Sequence, residues 1–347
     1  MIAEIRLQQY RSYIDQTFRF NPGVNIIIGP NASGKTNILE AVMVACRGGS
    51  YRASDQELIN HECDWARIDL RLDNSERIVK LVKQEKTTKQ FDVDGKTYKR
   101  LGNNQQIPIV LFEPNHLLLL SGSPELRRGY LDGILEQIKP GYKKIKNDYL
   151  KTLRHRNALL KTPRTQPSDM FVWNVRLSHL GGIIAILRDE LVQELNLQIT
   201  DHYRAISKDQ KKIELEYKHL VDKDQYESAL LKKLESNFEL DILRGFTGVG
   251  PHREDIKITI NNKSINSVAS RGESRSLVVA LKILEAEIIK NVTSQAPLIL
   301  LDDVFSELDI LRSNLLTSYI SRAQSILTTT NLGNIKSTKH SLIRLDD

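Results

Sequence analysis

At positions 29–36 the chain reads Gly29-Pro30-Asn31-Ala32-Ser33-Gly34-Lys35-Thr36. The apolar run Val24–Ile28 precedes this stretch, and from Asn37 onward apolar residues recur at the spacing of a helix. A strand, a glycine-containing loop and a helix in this order are the context of a phosphate-binding P-loop. The alternative interpretation is an ordinary glycine-rich turn.

The chemistry of the loop follows from its residue types. Glycines let backbone N–H groups turn inward around a phosphate, and the helix N-terminus adds the positive end of its dipole. Lys35 is placed to reach the β- and γ-phosphates of a nucleotide, and the Thr36 hydroxyl to hold a magnesium ion. The predicted nucleotide-binding residues are Gly29, Pro30, Asn31, Ala32, Ser33, Gly34, Lys35, Thr36 and Asn37.

A second motif lies near the carboxyl end, where the apolar run Leu298–Leu301 is followed by Asp302 and Asp303. On a buried parallel strand, Asp302 would lie at the carboxyl end, where ligands bind. Its carboxylate is predicted to hold magnesium through water. Asp303 is predicted to orient or deprotonate the attacking water, and with Lys35 it forms the predicted catalytic pair.

A third motif, Ser270-Arg271-Gly272-Glu273-Ser274, opens a predicted helix. Ser270 and Gly272 offer a hydroxyl and a backbone amide at a helix N-terminus, which is an anion-binding arrangement. A helix N-cap with nothing bound explains the same residues. From the residues alone, both interpretations stay open.

The composition is that of a globular protein, with 347 residues, 40% hydrophobic and 27% charged. The formal net charge of +7 and the pI of ≈ 9.2 favour polyanionic partners. Cys46 and Cys63 are isolated, which suits a reducing cytosol. The N-terminus does not resemble a signal peptide, and no apolar run approaches the ~18 residues of a membrane span. We therefore expect a cytoplasmic protein without a membrane partner.

The positive charge is concentrated in residues 139–164, the basic segment, which holds nine Lys and Arg residues and one acid. Aromatic residues and His155 are interleaved with these cations. A solvated helix face, a protein-docking surface and a nucleic-acid contact surface all fit this pattern. The candidate DNA contacts are Lys139, Lys143, Lys144, Lys146, Lys151, Arg154 and Arg156.

Apolar periodicity divides the chain into β-rich ends and a middle that looks almost wholly helical. The ends are each incomplete as α/β sheets, so the simplest architecture is one sheet built from both ends with the middle inserted as an arm. The predicted head comprises residues 1–123 and 244–347, and the arm residues 124–243. Predicted helices in the arm cover Pro124–Gln137, Gly141–Leu160, Ser168–Ser207 and Gln225–Leu243.

Together these motifs resemble the ABC-type ATPase heads of the SMC and RecF group. Ser270-Arg271-Gly272-Glu273 resembles the signature motif of that class, and Ser306-Glu307-Leu308-Asp309 resembles its D-loop. Thr328-Thr329-Thr330-Asn331 resembles its switch segment, with Thr330 as the candidate switch residue. Further stretches match the RecF family nearly end to end: Tyr10-Arg11-Ser12-Tyr13, Leu111-Phe112-Glu113-Pro114, Ser121-Gly122-Ser123-Pro124-Glu125-Leu126-Arg127-Arg128 and Gly250-Pro251-His252-Arg253-Glu254-Asp255.

The resemblance implies an α/β fold, an ABC-ATPase-type P-loop head with a mixed sheet, flanking helices and an inserted helical arm. It implies a DNA replication and recombinational-repair protein that uses ATP and Mg²⁺. Such a protein would form an ATP-dependent homodimer on single- and double-stranded DNA without sequence specificity. Ser270 and Gly272 of one subunit would contact the γ-phosphate held by the other. Recombination mediator proteins are the implied partners in recombinase loading.

Some residues depart from the ABC pattern. Arg271 stands where a glycine is usual, and Asp303 stands where a longer glutamate is usual. Glu113 is the nearest candidate for the Q-loop position, and Thr330 replaces the switch histidine of ABC transporters. The shorter acid predicts a weak, DNA-stimulated ATPase whose slow hydrolysis acts as a switch.

Three other functions explain fewer of these residues. A small-molecule kinase would use the same P-loop, but the sequence offers no obvious lid or acceptor site. A related defence-type ATPase usually carries an added nuclease domain, and this sequence leaves no room for one after the switch strand. A purely structural DNA-binding module is disfavoured by the intact Lys35, Thr36, Asp302 and Asp303.

Overall fold

The computed structural model describes residues 1–265, 269–332 and 340–345. The chain divides into two compact units, one formed by Met1–His116 with Glu285–Asp347 and the other by Leu117–Leu284. The first unit therefore draws on both ends of the chain.

The predicted arm, residues 124–243, lies inside the second unit, which also takes in residues 117–123 and 244–284 from the predicted head. Those additional residues include two strands and the first half of a helix. The head and arm boundaries themselves stay a prediction.

The first unit contains an antiparallel sheet of six strands in the order β2-β1-β4-β5-β6-β7. Alternating burial along β4 and β5 matches their alternating sequence and leaves one face for the core. The predicted Asp94-Gly95 turn joins β6 and β7, with positive φ at both residues. The strands are β1 (Ile2–Tyr10), β2 (Tyr13–Arg19), β4 (Trp65–Leu72), β5 (Glu76–Val82), β6 (Thr88–Val93) and β7 (Lys96–Tyr98).

A second sheet in this unit carries the site. Its order is β14-β3-β13-β12-β8, and every neighbouring pair is parallel. Strands from the two chain ends are thus neighbours, and the carboxyl ends of β3, β12 and β13 meet at one edge. The strands are β3 (Val24–Ile28), β8 (Ile109–Phe112), β12 (Leu298–Asp302), β13 (Ser325–Thr329) and β14 (His340–Arg344).

Helix α1 (Lys35–Arg47) anchors the core of the first unit. Ile38, Leu39 and Val42 are fully buried and belong to one apolar cluster with residues of both sheets, such as Ile68 and Leu300. Burying a side chain of this size stabilises the fold by about 1.5–3 kcal/mol. The P-loop at the start of α1 is therefore held on a rigid base.

The second unit is mostly helical, as predicted, but it also contains an antiparallel sheet in the order β11-β10-β9. Strand β9 (Ile213–Lys218) corrects the prediction of an almost wholly helical middle. Its apolar residues alternate with acids and pair with β10 (Asp255–Ile260), which continues to β11 (Lys263–Ser264) through a turn. The helices are α2 (Pro124–Ile138), α3 (Tyr142–Leu159), α4 (Pro167–Ser207), α5 (Tyr226–Ser236) and α6 (Phe238–Arg244).

Two further helices complete the described chain. Helix α7 (Arg271–Thr293) begins in the second unit and ends in the first, and α8 (Ile310–Ile320) lies in the first. The predicted sheet built from both chain ends is confirmed as the sheet β14-β3-β13-β12-β8, and the described chain forms two further, antiparallel sheets beside it.

Helix α4 is long and apolar enough to span a membrane by length and composition alone, with a mean hydropathy of 1.4 over 18 residues. The sequence prediction had found no such run. However, 44% of that window is buried within the protein, and α4 packs against α2, α3, α5 and β9. This packing is that of a core helix. A buried core helix can have the same length and hydropathy as a membrane-spanning helix.

Candidate nucleotide site

The P-loop fits closely against its surroundings at two glycines. Gly34 has a φ of +93°, and a Cβ there would lie 2.6 Å from the Tyr13 hydroxyl. A Cβ on Gly29 would lie 2.7 Å from Oγ of Ser33 and 2.8 Å from the carbonyl oxygen of Leu345. Only glycine meets both demands at Gly34, since it has no side chain and accepts positive φ.

Lys35 folds back over this loop. Its Nζ donates hydrogen bonds to the carbonyl oxygens of Gly29, at 2.8 Å, and Pro30. Burial lowers the pKa of Lys35, while the carboxylates of Asp303 and Asp302 act in the opposite direction. Because the hydrogen bonds of Nζ go to neutral carbonyl oxygens, charged phosphate oxygens would be stronger acceptors in their place.

Thr36 and Asp302 are brought together although they lie far apart in the sequence. Oγ1 of Thr36 donates to Oδ1 of Asp302 at 2.8 Å, and Oγ1 of Thr328 donates to the same oxygen at 2.8 Å. The register places Thr328 of β13 beside Asp302 of β12. The two predicted magnesium-holding residues therefore share one point at the carboxyl edge of the parallel sheet.

Asp303 follows directly and adopts a left-handed conformation with a φ of 49°. Its backbone N–H donates to Oγ1 of Thr328, and among the described residues its buried Oδ1 has no hydrogen-bond partner. Burial raises the pKa of Asp303, although the Lys35 ammonium lowers it in part. Strained backbone and an unpartnered carboxylate oxygen are features that accumulate at functional sites.

These residues fit a nucleotide with magnesium. Oγ of Ser33 is a further buried atom without a partner among the described residues, and it lies in the loop that would surround the phosphates. The described chain offers no group of three or more His, Cys, Asp or Glu residues for a metal. Thr36 and Asp302 suit Mg²⁺ instead, because this ion usually takes few protein ligands and completes its shell with phosphate and water.

The predicted switch segment contains both Thr328 and Thr330, and the sequence prediction assigns the switch role to Thr330 and no separate role to Thr328. Thr330 is exposed at the end of β13, whereas Thr328 is buried and joins Asp302 to the backbone of Asp303. The strand pattern does not separate the two threonines, because residues two apart lie on the same face of a strand. Only the register of β12 and β13, which is a tertiary feature, shows that Thr328 lies beside Asp302. The role of Thr330 stays a prediction.

A buried carboxylate on α1, Glu40, was also missed. Its side chain is fully buried and accepts two hydrogen bonds of 3.0 Å from Arg11, with others from Ser50 and Arg52. Burial would raise the pKa of Glu40, but these hydrogen bonds outweigh it and lower the pKa. Arg52 also donates to Asn37, beside the P-loop. Glu40 thus fixes two arginines near the nucleotide site.

Glu40→Gln is expected to destabilise the protein by about 1.5–3 kcal/mol, because charge-assisted hydrogen bonds become neutral ones. The folded-state pKa of Glu40 is lowered, so its contribution is present above its ordinary value and is lost as pH falls through the folded value. The gap in melting temperature between wild type and Glu40→Gln should therefore close on acidification. A gap that is constant from neutral to acid pH would contradict this role.

The remaining head motifs have local roles in the structure. Asp309 caps α8 by accepting from the backbone N–H of Arg312, and Oγ of Ser306 donates to the carbonyl oxygen of Asp303 at 2.6 Å. Leu308 is buried, and Glu307 lies close enough to Asp303 to raise its pKa. Glu113 follows β8, beside β12. The predicted D-loop is thus tied directly to the predicted catalytic acid.

In the second unit, Ser270 and Glu273 form a reciprocal cap at the start of α7. The backbone N–H of Ser270 donates to the Glu273 carboxylate, and the backbone N–H of Glu273 donates to Oγ of Ser270. Hydrogen bonding from Lys211, and then from Ser270, lowers the pKa of Glu273 to about 2. Arg271 is exposed and Gly272 is partly buried. The N-cap interpretation therefore holds locally, and the role in trans stays a prediction.

The basic segment contains one residue that the sequence misassigned. Arg156 is fully buried, with hydrogen bonds to Asn174, Asp241 and Thr247, so it is unavailable to DNA. Lys146 is half-buried and paired with Asp132 and Glu136. The exposed members are Lys139, Lys143, Lys144, Lys151, Arg154, Lys161 and Arg164.

Comparison with known proteins identifies the family of the chain. The family model described as RecF/RecN/SMC N terminal domain matches residues 1–345. DNA replication and repair protein RecF of Alkaliphilus oremlandii (strain OhILAs) is 31% identical, over 98% of this chain and 96% of that protein. The RecF of Bacillus cytotoxicus (strain DSM 22905 / CIP 110041 / 391-98 / NVH 391-98) is 35% identical, over 96% of this chain and 93% of that protein.

Solved structures give the same result. A structure of the recombination mediator protein RecF-ATPrS in the RecFOR pathway has a TM-score of 0.88 at 29% identity, covering 99% of this chain and 96% of that one. A RecF-ATP structure gives 0.84 at 29% identity, with 98% and 94% covered. An SMC head bound to a domain of ScpA gives 0.52 at 16% identity, covering 95% and 89%, which shows the fold alone.

The fold and the site define a P-loop ATPase head of the ABC and SMC type, which confirms the predicted fold class. Within that class the chain belongs to the RecF family. The predicted family resemblance is thereby confirmed.

Proposed function

We propose that this protein is an ATP-dependent DNA-binding switch of DNA replication and recombinational repair. The observation that carries the proposal is the convergence of Lys35, Thr36, Asp302 and Asp303 at one edge of the parallel sheet. The RecF relatives are called DNA replication and repair proteins, and two of the solved RecF structures are described with ATP or ATPrS. ATP binding with Mg²⁺ is the first step of this function.

Different residues of the chain would bind the phosphates, hold magnesium and activate the attacking water. The P-loop amides and Lys35 bind the phosphates, and Thr36 and Asp302 hold magnesium, which would neutralise charge on the phosphate oxygens. Asp303 would orient or deprotonate the attacking water. Its raised pKa and its unpartnered Oδ1 support this assignment. Thr328 acts as a positioning residue, since it joins the backbone of Asp303 to Asp302.

ATP would close two copies into a dimer, with Ser270 and Gly272 of each acting on the nucleotide of the other. The dimer would hold single- or double-stranded DNA without sequence specificity and would work with recombination mediator proteins in the cytoplasm. The net charge of +7 and the exposed lysines of the basic segment support the DNA assignment. Slow, DNA-stimulated hydrolysis would release the dimer.

Asp303→Asn is expected to bind ATP but to hydrolyse it about 10²–10⁴-fold more slowly, because the amide cannot accept the proton of the attacking water. In the wild type, the rate should fall with decreasing pH, because the base must be deprotonated. Its midpoint should lie above the ordinary 3.8 of aspartate, since burial raises the pKa of Asp303. Steady-state ATPase rates between acid and neutral pH measure both effects.

The DNA part of the proposal is tested by anisotropy of a labelled gapped duplex with ATP and magnesium. Asp303→Asn should keep DNA bound for longer after ATP is diluted out, while wild type releases it as hydrolysis proceeds. Equal release from both proteins would show that hydrolysis does not control DNA binding.

A further inference from the structure

A polar cavity lies within the second unit and is lined in part by two of the stretches that match the family pattern. Its volume is about 450 Å³, and α2, α3, α4 and the loop residues Pro251, His252 and Arg253 supply its lining. Lining residues exposed to solvent include Glu125, Leu150 and Arg253, and buried ones include Asp132 and Arg188. The cavity is therefore open to solvent on one side and polar inside.

The buried cation of this cavity is Arg188, and several hydrogen bonds fix its position. Arg188 is 5% exposed and forms hydrogen bonds of 2.9 and 3.1 Å with both carboxylate oxygens of Asp132. It also donates to the carbonyl oxygen of Pro251 at 2.7 Å. Lys146 lies 3.6 Å from the same carboxylate, and Tyr142 donates to it. The charge of Asp132 is thus already shared between two cations.

A second guanidinium, that of Arg128, lines the same cavity without a matching carboxylate. Its Nη1 donates to the backbone carbonyl of Glu254 at 2.8 Å, and no carboxylate of the described chain lies within ion-pair distance of it. Burial lowers the pKa of Arg128, and the nearby charge of Arg188 lowers it further, while Glu125, Asp255 and Tyr217 act in the opposite direction. An anion in the cavity would relieve this repulsion.

The loop of residues 251–253 contributes a third cation, Arg253, and the neighbouring His252 holds this loop in place. Nε2 of His252 donates to the carbonyl oxygen of Thr247, so Nδ1 accepts from the hydroxyl of Tyr149 at 2.7 Å. Burial lowers the pKa of His252 to about 4, so the imidazole is neutral and serves to hold the loop. The next residue, Arg253, is exposed and lies over the ring of Phe246 at 4.7 Å.

The charges of the lining give an excess of two cations, since Arg128, Lys146, Arg188 and Arg253 outnumber Glu125 and Asp132. Helix α3 contributes to the lining and also carries exposed cations outside it. Leu150 is exposed and lines the cavity, and Lys151 is the next residue along α3. The exposed cations of α3 are Lys143, Lys144, Lys151 and Arg154.

We propose that this cavity receives a backbone phosphate of a DNA strand that lies along α3, with Arg128 and Arg253 as its ligands. The inference rests on the proposed DNA-binding function and names where one contact is made. Phosphate contacts give affinity without reading sequence, and each one adds about 0.7–0.9 to the slope of log affinity against log salt.

The test measures the affinity of a fluorescent oligothymidine and of a gapped duplex in a NaCl series, with ATPγS and magnesium present. Arg253→Gln and Arg128→Gln should weaken binding of both and reduce the salt slope by about 0.7–0.9. Glu125→Gln should strengthen binding. Lys223→Gln removes an exposed charge of the same unit that does not line the cavity, so it should leave the slope unchanged.

Each outcome decides the inference. If Arg128→Gln fails to fold, the exposed Arg253 and Glu125 carry the test alone. A wild-type salt slope in Arg253→Gln together with wild-type affinity in Glu125→Gln would overturn the assignment. Equilibrium dialysis of inorganic phosphate in a Lys35→Met background provides a second test. If Arg253→Gln abolishes phosphate binding there but leaves the salt slope of DNA binding unchanged, the assignment is also overturned. Failure of wild type to bind DNA in any nucleotide state would instead overturn the proposed function.

Discussion

Lys35→Met is expected to lower ATP hydrolysis by about 10²–10³-fold, the usual effect of removing one group that stabilises charge in a transition state. Nζ of Lys35 lies over the P-loop, held by the carbonyl oxygens of Gly29 and Pro30. Methionine keeps much of the length of the side chain but cannot donate to a phosphate oxygen. A steady-state assay of phosphate release with saturating magnesium measures the loss.

The matched control is Lys96→Met, which removes one exposed lysine from strand β7 of the same unit. It should hydrolyse ATP at the wild-type rate. Lys35→Met should also lose nucleotide affinity, because the lysine contacts phosphates before and during the reaction. Hydrolysis by Lys35→Met at the wild-type rate would show that the activity arises elsewhere.

Arg156→Ala is expected to destabilise the second unit by about 3–5 kcal/mol, the cost of leaving a buried charge unpaired. Both Arg156 and Asp241 are fully buried, with Nη1 and Oδ2 2.8 Å apart. Arg156 also donates to Asn174, Thr247 and the carbonyl oxygen of Leu234. Removing the guanidinium leaves several polar atoms without partners in a closed interior.

Urea unfolding followed by the fluorescence of Trp173 measures this effect, since Trp173 stacks on His155 in the second unit. The experiment uses a Trp65→Phe background, because Trp65 lies in the first unit. Arg154→Ala is the control, being two residues away on the exposed face of α3 and expected to shift the midpoint little. Arg156→Lys should lose part of the stability, because an ammonium cannot form the same fork of contacts. Equal midpoints for Arg156→Ala and wild type would contradict the assignment.

The nucleotide site could be predicted because its features are local. A strand, loop and helix in sequence bring Gly29, Gly34, Lys35 and Thr36 together without any long-range information. Asp302 could be placed because an apolar run ending in an acid indicates a buried parallel strand. The structure joins Thr36 to Asp302 through a hydrogen bond that this reasoning predicts only as proximity.

The buried ionic contacts could not be predicted with equal ease. Arg156 belongs to a run of cations, and composition does not separate a buried cation from an exposed one. Its position on the helix does separate them. Arg156 follows Leu153 by three residues and Tyr149 by seven, so it lies on the apolar face of α3. Bidentate pairing of Arg127 with Asp255 joins two stretches that the family pattern singles out, but only the tertiary fold shows that they meet.

Strand β9 shows a second limit of prediction from sequence, which concerns secondary structure. Ile213, Leu215 and Tyr217 alternate with acidic residues, which is the period of a strand. The segment is short and lies between strongly helical stretches. Its partner, β10, comes about forty residues later, so the pairing depends on the intervening helices α5 and α6.

The central claim is that ATP controls both self-association and DNA binding. Sedimentation velocity of a fluorescent gapped duplex, with and without ATP and magnesium, tests it with wild type, Lys35→Met and Asp303→Asn in parallel. ATP should convert wild type from a monomer to a DNA-bound dimer. Lys35→Met should remain a monomer, and Asp303→Asn should stay trapped as the dimer on DNA. Three monomeric proteins that do not bind DNA under either condition would contradict the account.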